Sequence, residues 1–140
     1  MNKIIALICF FALAAANLYS QDFTVAEVFE AASKIDGFQQ MDYIADDIKF
    51  PADFGKPTMI AHGNAEPREQ VIQLLNNLPE DSLVYDNTDE EGKFDRLFLN
   101  KDTYDVLYVH LGFRGNDSVL MLFKGGKREA VDSFIESLKQ

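Results

Sequence analysis

His62 and His110 are the only histidines of the chain, and its single cysteine, Cys9, sits in an apolar run near the N-terminus. No HxH, HxxxH or HExxH spacing connects them, so a zinc site would need scattered carboxylates to complete its ligands, and no metal or other cofactor is expected. His62 belongs to Ala61-His62-Gly63-Asn64, just ahead of a helical pattern, where backbone N–H groups and the helix dipole can hold an anion. A plain turn with Asn64 as helix N-cap is the commoner use of such residues at that place. Gly125-Gly126-Lys127-Arg128 again brings glycine and cations to a helix start, although the P-loop spacing GxxxxGK[ST] is absent and a chain-reversing turn is the commoner reason for such glycines. If a discrete ligand site exists, its residues are His62, Gly63, Asn64, Lys127 and Arg128. His110 lies in a strand pattern and reads as a partly buried residue satisfied by a neighbour.

Other chemistries find less support. From Glu80 to Asp95 there are seven acids and one lysine. Asn87, Asp89, Glu91 and Gly92 match positions 1, 3, 5 and 6 of an EF-hand loop, but Phe98 occupies position 12, where the bidentate Glu belongs, so the run reads as a solvated turn. No carboxylate pair sits in an apolar setting that would raise one pKa for glycosidase work. Ser82, Ser118 and Ser133 are not in GxSxG. Asp81-Ser82-Leu83 and Asp117-Ser118-Val119 look like a short acceptor pattern for O-glycans in some exported bacterial proteins. Catalysis is therefore not expected, and the alternative is a small-molecule hydrolase or isomerase with a site near His62.

The elements that must position these residues follow from composition and periodicity. With 140 residues, 47% hydrophobic, and 13 cations against 23 acids for a net charge of -10, the chain reads as an acidic globular domain that repels phosphate backbones, so nucleic acid is not an expected partner. Lys3, the uncharged run from Ile4 to Ala16 and the polar residues through Ser20 form the pattern of a secretory signal peptide. That run is too short for a membrane span, which takes about 20 residues. Cleavage is expected after Ala16 or after Ser20, with Gln21 the preferred first residue. Residues 1–20 are thus read as a cleaved leader and 21–140 as a single domain, exported to the periplasm or beyond and free of cysteine.

Thr24 and Glu27 make a capping box ahead of Val25, Val28, Phe29 and Ala32, which predicts a helix over 25–34 ended near Gly37. A second helix is expected over 65–78, with Asn64 as cap, Pro67 in its first turn, Val71, Leu74, Leu75 and Leu78 as buried stripe and Pro79 as stop. A third runs over 127–138, burying Val131, Phe134, Ile135 and Leu138. Between the last two helices lie β-type runs over 82–86, 94–100, 104–113 and 118–124, the last three joined by hairpin-length turns, with further strands near 39–44 and 58–62. Residues 46–57 read as a long loop. Its Phe50 and Phe54, in a chain with 12 Phe, either plug the core or remain available to a partner.

The strand, Gly-rich turn and helix SVLMLFKGGKREAVDSFIESLK, together with YDVLYVHLGF, FTVAEVFEAASK and the leader, resemble a family of small exported proteins of unknown function from gut-type Gram-negative bacteria. The resemblance implies an envelope location and an accessory or regulatory role, and carries no active-site residues. The fold expected is α+β: an antiparallel sheet with a C-terminal three-stranded meander and three helices packed mainly on one face. The function expected is a non-catalytic binding or accessory module whose partner is another envelope protein or a small ligand.

Overall fold

A computed structural model describes residues 23–41, 50–63, 67–112 and 118–139; the leader, part of the long loop and Asn64 lie outside them. Helix α1 (Val25–Ser33) begins where the local chemistry places it. Thr24 Oγ1 accepts from the Glu27 backbone and Glu27 Oε1 accepts from the Thr24 backbone, so both halves of the capping box form. Val25, Val28, Phe29 and Ala32 are buried on its inner face.

Helix α2 spans Arg68–Leu75, with Pro67 at its N-cap position. It is shorter at both ends than its apolar stripe suggests. Pro67 supplies the first acceptor, to Val71 N at 2.9 Å. After Leu75 the chain tightens into turns in which Asn77 N and Leu78 N reach back three residues, which still buries Leu78 before Pro79 ends the run. Helix α3 (Arg128–Leu138) buries Val131 and Ile135 and half-buries Phe134 and Leu138.

Six strands, β1 (Gln39–Met41), β2 (Thr58–His62), β3 (Leu83–Thr88), β4 (Phe94–Leu99), β5 (Val106–Leu111) and β6 (Ser118–Phe123), form one antiparallel sheet in the order β1-β2-β6-β5-β4-β3. The fold is α+β. The C-terminal meander is longer by one strand than the turn signals alone indicate, because β3 pairs with β4 through a bulge between Leu83 and Tyr85. The β1–β2 hairpin then docks on β6 from the other side.

Every residue of β6 is buried, so the sheet has two apolar faces and each needs a cover. Leu107, Val109, Leu111, Leu120 and Leu122 pack under α1 and α2. Leu97, Val106, Met121 and Phe123 pack under α3 and the segment around Phe54. Among the described helices, α1 and α2 thus share one face and α3 takes the opposite one. Along β5 the faces alternate: Leu107, Val109 and Leu111 face α1 and α2, while Val106, Tyr108 and His110 face the α3 side. Among the described residues no helix is long and apolar enough to cross a membrane.

Candidate functional site

His62 ends β2, opposite Ser118 on β6. Its ring meets Phe38 edge-on, with centroids 5.4 Å apart, and lies over Gly37, where an added Cβ would fall 2.2 Å from His62 Nε2. Gly37 also sits at φ +96°, in the region that side chains disfavour. The turn after α1 therefore demands glycine twice over. His62 lines two shallow clefts, one of about 370 Å³ with Gln39, Met41, Ala61 and Gly63 and one of about 210 Å³ with Ile35, Asp36, Pro67 and Gln70. Gly63 is exposed beside it.

Lys127 and Arg128 do not join this group. They follow the C-terminal end of β6, whereas His62 pairs with its first residue, and the strand between is roughly 17 Å long. Lys127 N donates to Asp53 O at 3.1 Å and its Nζ lies 3.6 Å from Asp53 Oδ1. Arg128 stacks 4.5 Å over the Tyr104 ring and donates to Asp102 O at 3.1 Å. Tyr104 itself stands at φ +61° and donates to Asp132 on α3 at 2.9 Å. The two cations hold the β4–β5 hairpin and the 50–57 segment against the start of α3.

Phe54 is buried in the core and Phe50 is half-buried beside it. Phe54 is 1% exposed, and the Phe50 ring lies within 5.9 Å, centroid to centroid, of Phe54, Tyr108, Phe123 and Phe134. The candidate glycan acceptors are likewise enclosed: Ser118 is buried, as is Ser82, which donates to Pro79 O at 2.6 Å. In the acidic run, Asp89 Oδ1 accepts from the Glu91 and Lys93 backbones at 2.9 and 3.0 Å, which closes the β3–β4 turn.

The constellation that sequence reasoning missed centres on Asp95. On the α3 side of the sheet, His110 Nδ1 lies 2.8 Å from Asp95 Oδ1, and Tyr108 donates its hydroxyl to the same oxygen at 2.5 Å. The hydrogen bond from His110 holds the Asp95 carboxyl below its ordinary range, against the opposing effect of burial, and the bond from Tyr108 adds to it. An ionised carboxylate only accepts, so Nδ1 carries the proton. Burial, then the bond to Asp95, pushes the Tyr108 hydroxyl far up, so it stays protonated as a donor. Such a pairing fixes the tautomer and orientation of an imidazole, as a general base requires. The alternation of Tyr108 and His110 signalled a shared face, but Asp95 enters only through the register in which it pairs with His110.

On the edge of the other face, two cavities of about 270 and 260 Å³ flank the Leu78-Pro79 ridge. Phe23, Val25 and Leu99 supply apolar lining to the first, and Leu75, Leu83 and Phe98 to the second. Arg96 closes the second, with its Nε 3.2 Å from Asp86 Oδ1, an ion pair whose angle does not make a hydrogen bond. Leu83, on the edge strand β3, is 39% exposed.

No family model, no curated protein and no solved structure matches this chain.

Proposed function

We propose that the chain is an exported, non-catalytic binding or accessory module of the bacterial envelope, and that its partner is another envelope protein held at the β3 edge. The leader pattern of residues 1–20 supports export. The observation that carries the binding reading is Leu83, a large apolar side chain left 39% exposed on an edge strand beside a groove lined by Leu75, Leu78 and Phe98. An edge strand offers backbone donors and acceptors to an extended segment, and an adjoining apolar groove takes one of its side chains. Glu80, Asp81 and Asp86 border this edge, which favours a segment carrying basic residues around its apolar anchor. A combined experiment tests the proposal. The native protein should appear in the envelope fraction with a mass starting at Asn17 or Gln21. As bait it should retain a partner that the folded Leu83→Asp variant releases. An intact Met1 in the cytoplasm, or a partner held equally by both baits, would refute it.

A second reading, a small-molecule hydrolase or isomerase, is favoured by one observation, the Asp95–His110 pair at 2.8 Å. Under this reading the base is His110 and not His62. A substrate panel in which activity vanishes with His110→Ala and survives in His62→Ala would support it.

A further inference from the structure

The chain contains four methionines, Met1, Met41, Met59 and Met121, and the three internal ones fall in a single row of the sheet. Met41 of β1 pairs directly with Met59 of β2, and Met59 pairs directly with Met121 of β6. Directly paired residues project from the same face, here the α3 side, where Met59 and Met121 lie among the apolar residues of that layer. Exposure rises along the row: Met121 is 0% exposed, Met59 is half-buried and Met41 is 48% exposed.

One methionine in a core is ordinary filler. Packing accounts for Met121, but not for the outer end of the row, since Met41 hides little surface on an edge strand where a charged residue is the usual protection. Met41 opens into the cleft of about 370 Å³ whose other described lining is Gly37, Gln39, Ala61, His62 and Gly63. That lining has no carboxylate, so it offers little to a hard cation. It holds one thioether, that of Met41, behind which Met59 and Met121 follow in the row. Paired positions put neighbouring Cβ atoms about 5 Å apart, and a methionine side chain is unbranched with three rotatable bonds, so the three sulfurs can close on a point above Met59.

Thioethers are soft ligands that select soft ions. We infer that the Met41, Met59 and Met121 row is a binding site for a soft monovalent cation, Cu(I), entered from the Met41 end. Met41 and Met59 are its accessible ligands and Met121 its inner one. The site is independent of the β3 edge, which lies at the far side of the sheet.

The test uses the purified protein under anaerobic conditions, with Ag(I) as a redox-inert probe of the same softness and Cu(I) delivered from a chromogenic chelator. One equivalent of either ion should bind, and the [13C]methyl resonances of Met41 and Met59 should shift on Ag(I) addition. Met41→Leu and Met59→Leu, close in volume to the parent residues, should each weaken binding at least tenfold while leaving thermal unfolding nearly unchanged. His62→Ala should retain the one-equivalent uptake. The inference is overturned if no ion is taken up, if the methyl resonances stay still, or if His62→Ala abolishes uptake that the leucine variants keep.

Discussion

At the scale of single residues, two positions carry consequences that contact geometry fixes. Gly37 at φ +96° lies under the His62 ring. Gly37→Ala should therefore cost more than about 1 kcal/mol from backbone strain alone, and more again because the ring must move. Combining it with His62→Ala should recover part of that loss, since the clash disappears while the strain stays, and chemical denaturation of the four proteins in the cycle measures the coupling. Asp95 gives a pH dependence of definite sign. Its folded-state pKa lies below the ordinary value of 3.8, so the unfolded chain binds the proton more readily. The stabilisation is present above that ordinary value and is lost as pH falls through the lower folded value. Urea midpoints of wild type and Asp95→Asn should differ in favour of wild type at pH 6, and the gap should shrink as pH is taken progressively below 3.8; a gap that stays constant throughout would show that the carboxylate is not the cause. The capping box at Thr24 and Glu27 was legible in the sequence because both partners lie within one turn. The Asp95–His110 contact was not, because residues fifteen apart meet only once the β4–β5 register is set.

Among the elements, α3 was read almost to the residue because its polar and apolar positions repeat at the helical period. Which face of the sheet it covers was not readable from α3. That information sits in β6, whose unbroken apolar run Val119–Phe123 shows no alternation and so requires burial on both sides. Helix α2 was over-extended in both directions, since an apolar stripe continues through the turns to Leu78 whether or not the helix does. Burial also sets the size of the loss expected at Phe134. The ring touches Phe50 and Phe54 but remains half-buried. Phe134→Ala should therefore cost about 2 kcal/mol, less than the 3–5 kcal/mol roughly expected of an enclosed ring. Loss below about 0.5 kcal/mol in urea titration would mean that the aromatic cluster does not hold α3 to the sheet.

For the whole molecule, the chemistry-bearing residues are dispersed and not gathered. His62 stands at one end of β6 and Lys127 and Arg128 follow the other, while Asp95, Tyr108 and His110 occupy the α3 side. Sequence spacing cannot foresee such dispersal, because glycine beside a cation reads alike whether it binds an anion or clamps a hairpin. Leu83 is exposed beside an apolar groove, on a strand edge whose neighbours are acidic. The central claim, that this edge receives a partner in the envelope, is tested most directly by placing a photo-crosslinking side chain at position 83 in the living cell, with position 90 in the exposed β3–β4 turn as control. The account predicts one dominant adduct from position 83, absent from position 90 and lost when Phe98 is replaced by a bulkier Trp that fills the groove without unfolding the protein. Equal adducts from both positions, or none from position 83, would contradict it.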